Sequence, residues 1–225
     1  MTNGEAEPNV LVERNGAALW ITLNRPAALN SANADMLRTG DSSGGDTLTA
    51  ANRAILAIRE IAKPVVAAVN GLAAGVGVSL AAACDVGVAA EGAYFLLALT
   101  NIGLMPDGGA TVLLPAAVGR ARALRMALLT ERIGATEAAE WGLVSHVSKA
   151  ETFQTDVDGL IDRLSAGPPL AYAETKRAIN SATIDDIAGA MDRETAGQKR
   201  LVRSHDFREG VAALREKRPP SFLGR

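Results

Sequence analysis

The stretch KPVVAAVNGLAAGVGVSLAAACD, residues 63–85, decides how the rest of the sequence is interpreted. Residues 65–69 are apolar without polar alternation, which is typical of a strand covered on both faces of a parallel sheet. Asn70 and Gly71 predict a tight turn, and a helix of small apolar residues is predicted from about Gly75. A strand that leads through glycines into a helix leaves the first backbone N–H groups without intrahelical acceptors. Together with the helix dipole, these groups can bind an anion or an oxyanion.

Two glycine motifs are excluded for this stretch. A dinucleotide-binding fingerprint needs a third glycine and an acidic residue about 20 positions later, but Leu80, Phe95 and Leu96 occupy those places. A nucleophile elbow needs the pattern G-x-S-x-G, and the pattern around Ser79 ends in Ala81. The other interpretation of the residues alone is a closely packed helix, whose glycines and alanines let neighbouring backbones approach.

Composition narrows the class of protein. The 225 residues carry a net charge of −2, with charges of both signs spread along the chain, so nucleic acid is not expected as the main partner. The single cysteine, Cys84, suits a reducing compartment and is expected to be a small buried side chain. The first residues lack a secretory pattern, and no apolar run approaches the roughly 20 residues of a membrane helix. The sequence therefore predicts a cytoplasmic protein that does not enter a membrane.

Hydrophobic periodicity predicts an α/β body followed by helices. The dipeptide Asn15-Gly16 predicts a hairpin of strands 10–14 and 17–23. Further strands are predicted at 86–89, 94–97 and 143–147, and helices at 32–38 (capped by Ser31), 48–61, 112–118, 121–129 and 136–141 (capped by Thr136). A polar glycine-rich loop is predicted at 39–46. Residues 152–166, 170–182, 184–203 and 207–217 predict four more helices. The expected division is a body at 1–150 and a helical region at 151–225.

Five segments, in this order, resemble the signatures of the enoyl-CoA hydratase/isomerase (crotonase) superfamily. They are ITLNRPAALN (21–30), the stretch at 63–85, IGLMPDGGAT (102–111), ATEAAEWGLVSHV (135–147) and DFREGVAALREKRPPSF (206–222). Within the family, the run LMPDGGATVLLPAAVGRARALRMALL is most similar to the ring-1,2-epoxyphenylacetyl-CoA isomerase subgroup of the phenylacetate pathway. The resemblance implies a spiral of ββα units that holds an acyl-CoA site. It also implies a C-terminal helical trimerisation region, with homotrimers that often pair into hexamers.

The resemblance gives the stretch at 63–85 a chemical role. Family members bind the thioester oxygen of an acyl-CoA with two backbone N–H groups as that oxygen becomes an enolate. By motif match, the second of these donors is the N–H of Val76, and Gly75 beside it is assigned to substrate binding. One preorganised donor of this kind contributes about 3–4 kcal/mol to a transition state. Neither a metal nor a separate cofactor is expected, because coenzyme A is part of the substrate.

The carboxylates mark a departure from the family's hydratases. Those enzymes use two glutamates, and the matching positions here are Ser79 and Leu99. Asp107 instead matches a position where some isomerases of the family place an acid/base, and one carboxylate is enough to move a proton between two carbons. Its apolar neighbours, which are Leu97, Ala98, Leu99, Leu104 and Met105, are predicted to raise its pKa. The alternative is that Asp107 caps the following helix or stabilises the glycine turn.

A second departure follows Arg38. There the family has a longer helix, a strand and an A-G-x-D-L loop that supplies the first oxyanion N–H, whereas this sequence continues directly into Thr39 and Gly40. Either the sequence omits these residues or a deletion removed them. Omission is the expectation, because deletion would expose the core and leave neighbouring strands unpaired.

The remaining assignments also come from the resemblance. Arg25, Ala27 and Ala28 match a region that lies along the CoA nucleotide, and Leu99 is assigned to substrate contact. Lys217 matches a lysine that reaches CoA phosphates. His146 and His205 are interpreted as structural or surface residues. The sequence thus predicts an enoyl-CoA isomerase, with an enoyl-CoA hydratase or a non-catalytic acyl-CoA-binding subunit as alternatives.

Overall fold

The structure is a computed structural model that describes residues 8–24 and 47–225. Its first element is an antiparallel hairpin of β1 (Val10–Asn15) and β2 (Ala18–Leu23). Gly16 has a φ of 58°, which suits the turn that Asn15-Gly16 predicts. The hairpin prediction is confirmed. Among the described residues the hairpin forms a sheet of its own, and Val12 and Ile21, which face each other across it, are each more than half exposed.

Two three-stranded sheets form the body. The first contains β3 (Val66–Val69), β5 (Val86–Ala90) and β8 (His146–Ser148), all parallel, in the order β3-β5-β8. The second contains β4 (Leu72–Ala74), β6 (Tyr94–Leu96) and β7 (Ile133–Gly134) in the order β4-β6-β7. The turn at 70–71 carries the chain from one sheet to the other. Among the described residues, the consecutive strands β3 and β4 therefore lie at the edges of different sheets.

Nine helices occur in the described part of the chain. They are α1 (Thr47–Glu60), α2 (Val76–Ala83), α3 (Ala110–Val118), α4 (Arg120–Leu129), α5 (Ala135–Trp141), α6 (Phe153–Ser165), α7 (Pro169–Thr183), α8 (Ile187–Leu201) and α9 (His205–Glu216). A 3₁₀ helix covers Ala98–Ile102. The predicted helices after residue 47 are confirmed to within a few residues. One cap was wrong, since Gly134 precedes α5 and Thr136 lies inside that helix.

The strand predictions differ from the structure in three places, one of which is the two-residue strand β7, which was not predicted. The short strand β4 was not predicted, because its three residues stand between two glycine-containing turns and carry no alternation. The predicted strand at 143–147 is reduced to β8, which begins at His146. Leu143 and Val144 are buried beside Gly87 and Trp141 instead of pairing within a sheet.

Two apolar clusters place the helices. The larger cluster joins strands of both sheets to α2, α3, α4 and α5, and its most buried members include Phe95 and Met126. The smaller cluster joins α1, α3 and α8 through Ile55, Leu113 and Ile187. Because α8 belongs to this second cluster, the C-terminal half of the chain packs directly on the segment that precedes α3.

Some predictions lie outside the described residues. These are the helix at 32–38 with its cap at Ser31, the loop at 39–46, and the join between Arg38 and Thr39. In the part of the chain that the structure describes, every helix is too short or too polar to cross a membrane.

Candidate active site

The start of α2 is fixed by Gly75. This glycine has φ 53° and ψ −120°, a conformation that strains other residues. Its N–H donates to the carbonyl of Leu96 at 2.9 Å, which ties the helix start to β6. That N–H is therefore already in use, so the contribution of Gly75 to the site is its backbone conformation.

Val76 is the first residue of α2, so its N–H is one of those that the helix does not satisfy internally. A methyl group added to Gly75 or Gly77 would meet no heavy atom of the described residues within 4 Å. At these two positions the helix start is therefore not covered by other described residues. This geometry suits the assignment of the Val76 N–H as an oxyanion donor, which stays a prediction.

The turn that carries Asp107 lies against α2. Gly108 and Gly109 have φ values of 67° and 75°. A methyl group on Gly108 would come within 3.2 Å of Val76 Cγ2 and 3.3 Å of Ser79 Cβ. The residue after Asp107 thus packs against the side chains of Val76 and Ser79 in the first turn of α2. That Val76 and Asp107 act together stays a prediction.

Side chains from α2 and α8 hold Asp107. The hydroxyl of Ser79, which is fully buried, donates to the main-chain carbonyl of Asp107 at 2.8 Å. From α8, Gln198 Nε2 donates to Asp107 Oδ2 at 2.8 Å and to the carbonyl of Met105 at 2.9 Å. The backbone and the carboxylate of Asp107 are therefore positioned by different helices.

Glu194 caps α3 from a distant part of the chain. Its side chain is 1% exposed, and its Oε2 accepts from the N–H of Gly109 at 2.7 Å. Its Oε1 accepts from the N–H of Thr111 at 2.9 Å and from the Thr111 hydroxyl at 2.6 Å. A carboxylate is favourable at this end of a helix dipole. The capping role that the sequence offered as an alternative for Asp107 is filled by Glu194.

Glu194 and Gln198 were not predicted. Their partners lie 83 to 93 positions away, beyond any local pattern. A signal is nevertheless present in α8, because Ile187, Met191, Glu194 and Gln198 follow each other at intervals of three or four residues. Polar residues on the apolar stripe of a helix indicate buried hydrogen bonds.

The other predicted site residues lie elsewhere. Leu99 is half-buried in the 3₁₀ helix, and its carbonyl accepts from the N–H of Leu104 at 3.0 Å. Lys217 is exposed at the end of α9, with a φ of 53°. The predictions for Arg25, Ala27 and Ala28 fall outside the described residues.

The two histidines lie apart from this site. His146 is exposed on β8, and the N–H of His205 donates to the carbonyl of Arg225 at 2.7 Å.

Two open grooves on the surface are separate from this site. One, of about 310 Å³, lies between the end of α1 and α7 and is lined by Arg59 and Lys176 among others. The other, of about 340 Å³, is lined in part by Asp206 and Phe222. Neither of these two grooves is lined by Val76 or Asp107.

Comparisons with known proteins give the family. Residues 34–225 match the enoyl-CoA hydratase/isomerase family. The chain is 47% identical over 162 residues to a probable enoyl-CoA hydratase of Rhodobacter capsulatus, which covers 72% of this chain and 63% of that protein. It is 38% identical over 197 residues to the 1,2-epoxyphenylacetyl-CoA isomerase of Escherichia coli, covering 88% of this chain and 75% of the relative.

The fold has a solved counterpart. The crystal structure of an enoyl-CoA hydratase from Mycobacterium avium subsp. paratuberculosis superposes with a TM-score of 0.89 at 42% identity. The match covers 96% of this chain and 98% of that one. The predicted crotonase-like α/β fold, with helices at the C-terminal end, is confirmed. The protein is therefore a member of the enoyl-CoA hydratase/isomerase family of enzymes.

Proposed function

We propose that the protein is an enoyl-CoA isomerase that shifts a double bond in an unsaturated acyl-CoA thioester. The observation that carries the proposal is the contact between the Asp107 turn and the start of α2. It packs the turn that carries Asp107 against the side chains of Val76 and Ser79 at the start of α2. The proposed pair is thus a base and an oxyanion donor.

One carboxylate can complete the reaction. Ionised Asp107 removes a proton from the carbon next to the thioester carbonyl, and the electron pair moves onto the carbonyl oxygen to give a dienolate. The N–H of Val76 donates to this oxygen as its negative charge develops. The protonated Asp107 then returns the proton two carbons further along the chain. The double bond moves into conjugation, and no proton is gained or lost overall.

The residues at the two hydratase positions support isomerisation. Ser79 is fully buried and uses its hydroxyl to hold Asp107, and Leu99 is apolar. Hydration needs groups that activate water and deliver a proton to carbon. The turn of Asp107 packs on α2 through the Ser79 hydroxyl, and a single proposed carboxylate suits a proton shift better than the addition of water.

Hydration is the second candidate because the Rhodobacter capsulatus relative is a probable enoyl-CoA hydratase. The Escherichia coli relative instead acts as a 1,2-epoxyphenylacetyl-CoA isomerase. We propose an acyl-CoA as the substrate of this chain. A ring-bearing acyl group of the phenylacetate pathway is the variant of this proposal that the second relative suggests.

Assembly into homotrimers or hexamers is part of the proposal. The C-terminal helices carry exposed apolar side chains, including Leu170 at 82% and Leu214 at 67% exposure. Burial of such side chains against another copy would be favourable. Light scattering during size-exclusion chromatography measures the mass of the assembly directly.

A deuterium experiment separates the candidate functions. The enzyme is incubated with a 3-enoyl-CoA in D₂O, and deuterium incorporation is measured beside the change in enoyl absorbance. An isomerase should convert the 3-enoyl-CoA into the conjugated 2-enoyl-CoA without forming a hydroxyacyl-CoA. A hydratase should instead add water to 2-enoyl-CoA and form the hydroxyacyl-CoA. Binding of the CoA ester without either reaction would indicate a non-catalytic subunit.

The Asp107→Asn variant tests the base. We expect a loss of isomerase turnover of at least 10²-fold, the lower end of what a general base contributes. Asp158→Asn, in the exposed pair with Gln154 on α6, is the matched control and is expected to keep its activity. Unchanged turnover in Asp107→Asn would rule out the proposed role.

A further inference from the structure

We propose that Gln198 is a positioning residue that holds the carboxylate of Asp107 ionised and in a fixed orientation. The proposal rests on the isomerase function proposed above, because it gives Gln198 a part in the same proton transfer. The side chain acts through Asp107.

The orientation of the Gln198 amide follows from its two partners. A carboxamide nitrogen has two hydrogens, and Gln198 Nε2 directs them at Asp107 Oδ2 and at the carbonyl of Met105. The Met105 carbonyl can only accept. If the amide were turned over, its oxygen would face two acceptor oxygens, so Met105 selects the orientation in which Asp107 receives a proton donor.

The burial of the Gln198 side chain is not explained by packing alone. Gln198 is 6% exposed, and its Oε1 is buried without a hydrogen-bond partner among the described residues. An unsatisfied buried oxygen destabilises the folded state. An apolar side chain would fill the same position on α8 without that cost. The contact with Asp107 explains why an amide stands here.

The ionisable groups around the Asp107 turn determine how the Gln198 amide can affect the charge of Asp107. Neither α2 nor α3 contains an ionisable side chain. The buried ionisable group of α8 is Glu194, which bonds Gly109 in the turn that follows Asp107. The other ionisable groups of α8 are exposed. They are Asp192, Arg193, Lys199 and Arg200.

On α1, which reaches the turn through Ile55, Arg53 and Glu60 are exposed and Arg59 lies 3.7 Å from Asp185. The Glu194 side chain bonds Gly109, two residues after Asp107, and the donor from Gln198 favours the ionised form of Asp107 in this turn.

The hydrogen bond also serves the two steps of the reaction. A donor to the charged form favours the ionised carboxylate that must remove the first proton. It also fixes one carboxylate oxygen, so that the substrate carbon meets the carboxylate in one orientation. The positioning and the charge state of the base thus depend on the same side chain.

The experiment measures the titration of Asp107 in two independent ways. One is the pH dependence of kcat/KM for isomerisation. The other is ¹³C NMR of the aspartate carboxyl carbons, in which the Asp107 signal is the one missing from Asp107→Asn. In Gln198→Leu, we expect the acidic limb of the rate profile and the NMR titration to move together to higher pH by about one unit. kcat should fall more than KM rises.

Gln198→Glu is the second variant, because it keeps the shape of the side chain if Gln198→Leu folds poorly. A second carboxylate beside Asp107 should move the titration further to higher pH than leucine does. Glu194→Gln is the matched control on the same helix. It removes a negative charge from the same turn, so any movement of the Asp107 titration is expected toward lower pH.

The outcomes separate the two proposals. If the Asp107 signal titrates at the wild-type pH in both Gln198 variants while activity falls, Gln198 is merely structural and the inference is overturned. If the NMR titration moves as expected but Asp107→Asn retains isomerase activity, the contact with Gln198 stands and the proposed function fails. Parallel movement of both readouts supports both proposals.

Discussion

Lys176 Nζ donates to Asp85 Oδ2 over 2.8 Å and joins three parts of the chain at one point. The same ammonium group donates to the carbonyl of Ile58 at 2.7 Å and to the carbonyl of Lys63 at 3.2 Å. Asp85 Oδ2 in turn accepts from the N–H of Val65 at 2.7 Å. The end of α1, the entry into β3 and the end of α2 are thus held together by a side chain of α7.

Lys176→Met is expected to destabilise the protein by about 1–3 kcal/mol. The change leaves two carbonyls and a partly buried carboxylate without their ammonium donor, since the side chain of Lys176 is 8% exposed. The neighbouring Arg177→Met is the control, because Arg177 pairs with Glu174 in an exposed position and should change stability by less than about 1 kcal/mol. Urea unfolding monitored by circular dichroism gives both values. Equal effects would show that Lys176 contributes no more than a surface pair.

Gly108→Ala and Gly159→Ala should change stability in opposite directions. Gly108 has a positive φ, and an added methyl group would come 3.0 Å from Ile55 Cδ1, so alanine should cost about 1–3 kcal/mol. Gly159 lies inside α6 with no heavy atom near an added methyl group, so alanine should stabilise the protein by about 0.5–1 kcal/mol. Thermal unfolding of the two variants tests this contrast. A neutral effect of Gly108→Ala would contradict the close contact between the turn and α1.

Cys84 should resist alkylation in the folded protein. Burial, with a smaller contribution from the Asp85 carboxylate, raises the pKa of the thiol from 9.0 to about 12, while Lys176 acts in the opposite direction. The thiolate is the reactive form, so iodoacetamide at pH 8 should modify the native protein far more slowly than the protein in urea. The raised pKa favours the folded state below pH 9, and this contribution declines as the pH rises toward 12. Comparable native and unfolded rates at pH 8 would contradict the buried thiol.

The fold could be predicted from local patterns where those patterns were strong. The hairpin followed from Asn15-Gly16, and the amphipathic periodicity located the helices after residue 47. The strand β4 has three residues and was missed, because packing beside β6 stabilises it more than any propensity of Leu72 or its neighbours. The cap of α5 was misplaced by two residues, because Gly134 precedes the helix and Thr136 lies inside it.

The candidate site was only half predictable from the sequence. Val76 and Asp107 were named from a resemblance, and in the structure Gly108, the residue after Asp107, packs against the side chain of Val76. The side chains that hold this turn, Glu194 and Gln198, were missed because a hydrogen bond between distant segments leaves no periodic trace. The remaining signal is a polar residue at a position of the helix where an apolar residue is expected. Two such residues, Glu194 and Gln198, occur in α8.

The cap of α3 by Glu194 sets an order on the assembly of the protein as it is made. The N–H of Gly109 and its acceptor are 85 positions apart. At a synthesis rate of roughly 5–20 residues per second, the acceptor follows the turn out of the ribosome by about 4–17 s. During that interval α3 has an uncapped start, and Asp107 has no amide to meet its carboxylate. The strands of the nascent chain can form early, whereas the hydrogen bonds of Gly109 and Asp107 to Glu194 and Gln198 can form only after α8 has been synthesised.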